Sequence, residues 1–189
     1  MLTLEPMGEA QIRRLYACQM QRDFPPSELK RLSSILAMRE RGEYDVVGAT
    51  EHGTLMGYAM LYRPRDGRIA LLDYLAVEPQ TRGRGIGSAM LALLRDRYCA
   101  STDALMIECE RPKAAPDEAG ARRRIQFYTH AGAQLTSVRI WLFDVEYSIL
   151  VLPCAQAMPA RDWAQQMLSL YRQMLPPEIF AHNVRLIRG

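Results

Sequence analysis

The chain lacks the residues that would staple it or load it with metal. Its cysteines, Cys18, Cys99, Cys109 and Cys154, stand far apart, and no Cys-x-x-Cys pair occurs. That spacing supports neither a disulfide framework nor a zinc site. His52, His130 and His182 do not cluster either, so no metal is expected. Lysine is nearly missing; apart from Lys30 and Lys113 the positive charge is arginine. The net charge of +3 is too small to call for a nucleic-acid partner. No apolar run is long enough for a membrane span, and the first residues, with Glu5 and Glu9, do not read as a signal peptide. Internal repeats and low-complexity tracts are absent. A reducing cytoplasm is the expected location, with no membrane partner. At 189 residues and 49% hydrophobic content the chain is ordinary for one globular domain with its own core.

What the chain does have is a glycine-rich basic loop between an apolar run and a helical pattern, within Leu72–Ser88. Glycine admits φ > 0 and lets a phosphate touch the main chain. Successive N–H groups in such a turn face one concavity, to which the next helix adds its positive end. Arg82 and Arg84 set mobile charge beside it. The ligand expected is a pyrophosphate. A P-loop is excluded, because no lysine precedes Ser88. A dinucleotide fingerprint fits poorly: Gly83, Gly85 and Gly87 are spaced two and two, Ser88 holds the third glycine's place, and the loop lies mid-chain.

The remaining pattern, Gln/Arg-x-x-Gly-x-Gly/Ala, is met by Gln80-Thr81-Arg82-Gly83-Arg84-Gly85. It resembles the acetyl-CoA loop of the GNAT superfamily of N-acetyltransferases. Leu75-Ala76-Val77 resembles the end of that family's fourth strand, Ala104–Cys109 its fifth, and Arg124–Ala133 its later helix, in the family's order. The resemblance runs from about Leu2 to about Leu152, with its specific motifs inside Asp73–Gly132. It implies acetyl-CoA as co-substrate, touched by Leu75, Ala76 and Val77 and by Gln80, Arg82, Gly83, Arg84, Gly85, Ile86, Gly87 and Ser88.

The pattern along the chain predicts an α+β architecture, an α/β/α sandwich with a mixed, mostly antiparallel sheet and helices on both faces. Strands are expected at Leu2–Glu5, Asp45–Glu51, Leu55–Tyr62, Ile69–Val77 and Ala104–Cys109, with a closing hairpin of Leu135–Leu142 and Val145–Leu152. Helices are expected at Gln11–Met20, after a cap at Ser27, from Ile86, around Arg122–His130, and at Arg161–Met174. Arg65-Asp66-Gly67 reads as a turn, and Pro153 and Pro159 as a boundary. Residues 1–152 form the expected acetyltransferase domain, and 153–189 a helical extension packed on it, or else a homodimer contact through Trp163 and Tyr171.

Acetyl transfer to an amine needs a base for the ammonium, a donor for the oxyanion and an acid for the leaving thiolate. By resemblance, a bulge near the end of the fourth strand frees the amide of Val77 or a neighbour as the donor, and Tyr128 is the acid. Glu108 is the first candidate base, because a carboxylate inside an apolar strand is costly unless paired or used. Asp73, expected to share a strand face with Leu75 and Val77, is the second, and Glu110 the third.

The chain departs from the family in two places. Pro112–Pro116 and the triplet Arg122-Arg123-Arg124 replace an early helix asparagine. Those arginines either bind the 3′-phosphate of CoA or an anionic acceptor, or form a solvated helix start. Ala133 stands where phenylalanine usually follows Gly132, which touches packing rather than chemistry. Phe24-Pro25-Pro26 would supply an apolar wall for the acceptor, a primary amine on a small molecule or a peptide N-terminus. A catalytically silent acetyl-CoA-binding or sensing module is the alternative.

Overall fold

The near-continuous apolar run Ile69–Val77 forms the strand β4, which buries side chains on both faces, as such a run requires. The computed structural model describes residues 1–65, 67–154 and 161–187. Asp66 of the expected turn and Pro159 of the expected boundary lie outside the described residues. The strands are β1 (Thr3–Pro6), β2 (Tyr44–Glu51), β3 (Thr54–Tyr62), β4 (Ile69–Val77), β5 (Ala104–Glu110), β6 (Gln134–Leu142), β7 (Val145–Pro153) and β8 (Val184–Leu186). The helices are α1 (Glu9–Leu15), α2 (Gln21–Asp23), α3 (Leu32–Glu40), α4 (Ile86–Tyr98), α5 (Glu118–His130), α6 (Trp163–Met174) and α7 (Pro177–Asn183).

One sheet holds all the strands in the order β1-β2-β3-β4-β5-β7-β6-β8. Every neighbouring pair is antiparallel except β4 and β5, which the α4 crossover makes parallel. One face packs its core against α1, α3 and α6, through Ile12, Leu15, Ile35, Met167 and Leu170. The other face packs against α4 and α5, through Met90, Leu91, Leu94 and Tyr128. The expected sandwich is therefore present.

Three local expectations need correction. Gln11–Met20 is not one α-helix, because a π-helical turn at Tyr16–Met20 follows α1. Ser27 caps nothing; α3 begins at Leu32 with Arg31 as its uncapped N-cap residue. The backbone ahead of it is engaged elsewhere. The Tyr74 hydroxyl accepts from the Lys30 N–H at 2.9 Å and donates to the Glu28 carbonyl at 2.7 Å, while the Tyr16 hydroxyl donates to the Lys30 carbonyl at 2.9 Å. Finally, the C-terminal segment is not only helical, since β8 adds to the sheet beside β6.

Candidate active site

The site begins where two parallel strands part. Pairing between β4 and β5 runs from Ile69↔Ala104 to Leu72↔Ile107 and stops. Beyond that level β4 stays with β3, and β5 stays with β7. A fork opens, with Asp73 and Glu108 as the first residues on its two arms.

The fork exposes main-chain donors. The Glu78 N–H donates to the Met56 carbonyl on β3 at 2.9 Å. Strand alternation then turns the N–H groups of Ala76 and Tyr74 toward β3, and those of Val77 and Leu75 toward the fork. The Val77 carbonyl, on that same edge, accepts from Arg82 Nε at 3.1 Å. The expected bulge exists, but in another place. Tyr74 pairs with Met60 and Leu72 with Leu61, so Asp73 is the extra residue, and Val77 remains opposite Gly57. Parting of the strands, not the bulge, frees the Val77 amide.

The bulge also corrects the expected face of Asp73. An extra residue breaks the two-residue alternation. Leu75 and Val77 pack on the α4/α5 side, whereas Asp73 meets groups of the other layer. Lys30 Nζ lies 2.7 Å from Asp73 Oδ1, and the Tyr44 hydroxyl donates to Oδ2. Glu108 is on this side too, as Met106 two residues earlier requires. The Tyr171 hydroxyl of α6 lies 2.9 Å from both Glu108 oxygens.

Burial pushes the Glu108 carboxyl up from 4.5 to about 7. The Lys30 charge and the Tyr171 hydrogen bond oppose that rise, and the negative charges of Asp73 and Glu28 add to it. Burial likewise raises Glu28, helped by repulsion from Glu110 and opposed by Arg124. Glu110 itself pairs with Arg124 at 3.2 Å. Tyr128 lies on the opposite side of the fork, in the α4/α5 layer beside Cys109. Its phenol is driven up mainly by burial and stays protonated across the neutral range.

The glycine loop meets the requirements of an anion cradle. Gly83 and Gly85 sit at φ +78° and +77°, with open space where a Cβ would be. Gly85 is the N-cap of α4 and has no side-chain cap, and the helical ladder starts with the Ala89 N–H on the Gly85 carbonyl. The N–H groups of Ile86, Gly87 and Ser88 therefore have no acceptor within the helix. Gly87 is needed for a different reason: a Cβ there would lie 3.0 Å from the Phe127 ring of α5. Gln80 and Arg84 are exposed beside the loop. Arg82 is less free than expected, because it also reaches the buried Asp23 at 3.3 Å.

Arg122 pairs with Glu118 and Arg123 reaches Asp117 at 3.7 Å, both on the exposed first turns of α5. Phe24 packs edge-on against Tyr74 of β4 at 4.9 Å, while Pro25 and Pro26 are exposed. Lys30, Tyr44 and Tyr147 are not expected at the site from the sequence, and Tyr171 is expected only as an apolar contact. The signal of the three tyrosines, a polar tip on an apolar ring, does not distinguish a site from a core. Among the described residues no group of histidine, cysteine, aspartate or glutamate is placed to hold a metal, and no helix is long and apolar enough to cross a membrane.

A fork between parallel strands, beside a glycine cradle at a helix N-terminus, defines the class. Residues 10–132 match the family model described as Acetyltransferase (GNAT) family. The chain belongs to the GNAT acetyltransferase family. No curated relative matches it at a significant level. Among solved structures it is similar to a GNAT-family protein from Bacteroides thetaiotaomicron, at 18% identity and TM-score 0.70, covering 91% of this chain and 95% of that one. It is similar also to the ribosomal-protein-S18-alanine N-acetyltransferase from Escherichia coli, at 21% identity and TM-score 0.60, covering 86% and 99%. A third is a Salmonella typhimurium protein of the acetyltransferase kind with its cofactor acetyl-CoA, at 18% identity and TM-score 0.59, covering 86% and 98%.

Proposed function

We propose that this protein transfers the acetyl group of acetyl-CoA to a primary amine by direct attack across the β4–β5 fork. The observation that carries the reading is the placement of Glu108 and Tyr128 on opposite sides of that fork, with the glycine cradle beside it. The cradle fits a pyrophosphate, through the positive-φ glycines and the unused N–H groups of α4. Bound there, acetyl-CoA would supply an activated acyl group on a thiol leaving group. The chain's own groups do the rest. Glu108, raised to about 7, takes the proton of the incoming ammonium. The fork-facing N–H of Val77 or Leu75 is a fixed donor for a carbonyl oxygen, worth about 2.7–4 kcal/mol where such donors have been removed. Tyr128 keeps a proton available on the thiol side.

Asp73 is the weaker base candidate, because Lys30 and Tyr44 already occupy both of its oxygens. Residues 1–152 serve as the catalytic domain in this reading, and the C-terminal extension completes the acceptor side. Likeness to an S18-alanine acetyltransferase supports a peptide N-terminus as one acceptor class, and a small amine is the other.

The test is thermal unfolding with acetyl-CoA, CoA, NAD and ATP in parallel, followed by thiol release over a panel of small amines and alanine-initiated peptides. Stabilisation by acetyl-CoA and CoA alone, with thiol release, is the expected result. Stabilisation without thiol release from any amine would favour the silent binding module. Stabilisation by NAD or ATP instead would overturn the reading.

A further inference from the structure

We propose that Tyr171, on a helix beyond the family match, is a positioning residue for Glu108: its hydroxyl orients the carboxylate toward the fork and stabilises its charged form. This rests on the reading of Glu108 as the base. The phenol oxygen lies at 2.9 Å from both carboxylate oxygens, and the residue is only 1% exposed. The helix that carries it is anchored. Met167 and Leu170 pack into the same core, and Arg161, just ahead of α6, pairs with the buried Asp103. A donor held on a rigid element fixes the rotamer of the group it bonds.

The other groups facing Glu108 do not duplicate this bond. From the segment before α3, Lys30 attracts the carboxylate but gives its ammonium to Asp73, and Glu28 repels it. From β4, Asp73 repels it, with Tyr44 of β2 donating to Asp73. From β7, Tyr147 approaches, and its own phenol is raised by burial and by Glu108. On β5 itself Cys109 faces the other layer, and Glu110 is paired with Arg124 of α5. Tyr171 is thus the one neutral donor on Glu108 among the described side chains. Burial pushes its own phenol far above the ordinary value, so it remains a donor at every working pH.

Tyr171→Phe removes one oxygen and keeps the ring in the core. With the best acceptor from the amine panel, kcat/KM at pH 7 should fall about tenfold, and the midpoint of its pH profile should rise by about one unit. At pH 9, where Glu108 is ionised in both proteins, the deficit should shrink to within about threefold. The Glu108 carboxyl, followed by ¹³C NMR and assigned by its loss in Glu108→Gln, should titrate higher in Tyr171→Phe by the same amount. Acetyl-CoA stabilisation should be unchanged. A uniform loss at all pH values with an unmoved midpoint would mean a merely structural tyrosine and overturn the proposal. So would a shifted carboxyl titration with no shift in the rate profile. A wild-type protein that acetylates nothing in the panel would fail the reading of Glu108 as base before any variant is made.

Discussion

The two sides of the fork are built on different plans. The proposed cofactor side is local and made largely of main chain: Val77, the glycine loop and the first turn of α4 lie within a dozen or so residues of one another. The proposed acceptor side is assembled from scattered side chains: Lys30 ahead of α3, Tyr44 on β2, Asp73 on β4, Glu108 on β5 and Tyr171 on α6. Main-chain recognition requires glycine at fixed intervals and tolerates little else. Side-chain recognition requires only that distant positions meet. A cofactor common to a family therefore leaves a contiguous signature, while an acceptor leaves a dispersed one. The family match to residues 10–132 includes the first side entirely and omits Tyr171 of the second.

The largest effect should come from breaking the cofactor side. Gly85→Glu places a side chain at φ +77° and a carboxylate where an anion is expected. Affinity for acetyl-CoA by calorimetry should fall by at least about 100-fold, equivalent to roughly 2.7 kcal/mol. Breaking the acceptor side should leave that affinity alone. Glu108→Gln should lower kcat/KM by about 100-fold at pH 8, within the range for a lost general base. The deficit should narrow at higher pH, as the free amine needs no base, and equal loss at all pH values would count against the role. Tyr128→Phe tests the border between the sides. Turnover should drop about tenfold with acetyl-CoA binding intact, and unchanged turnover would remove the acid assignment.

The smallest expected effect is on stability. Glu108 ionises near 4.5 when unfolded and near 7 in the folded protein. The folded state holds that proton more tightly, so wild-type stability declines as pH rises through the window between those values. Glu108→Gln escapes this decline. The two proteins should melt alike below pH 4.5, and the variant should be the more stable one at pH 8, because its amide oxygen still accepts from Tyr171 and no buried charge forms. A variant that is less stable at pH 8 would indicate that the carboxylate is well paired rather than strained by burial.

What the sequence revealed follows the same division. The strands were legible because burial on both faces gives apolar runs such as Ile69–Val77 and Ile149–Leu152. The hairpin at Phe143-Asp144 was legible too, and both residues take positive φ there. β8 was not, because three residues carry no period. Ser27 looked like a cap, yet Tyr74 and Tyr16 claim the backbone that a helix would have needed. The face of Asp73 was misread because one inserted residue reverses every later side chain, and nothing in the composition of β4 announces it. Tyr171 was read for its ring alone. Its hydroxyl gains meaning only when α6 brings it against Glu108.

The most direct test of the two-sided fork is a crystal structure with CoA and the accepted amine. The pyrophosphate should lie on the N–H groups of residues 83–88, the thiol between β4 and β5 on the Tyr128 side, and the amine on the Glu108 side. CoA seated away from the glycine loop, or amine and thiol both on one side of the sheet, would contradict it.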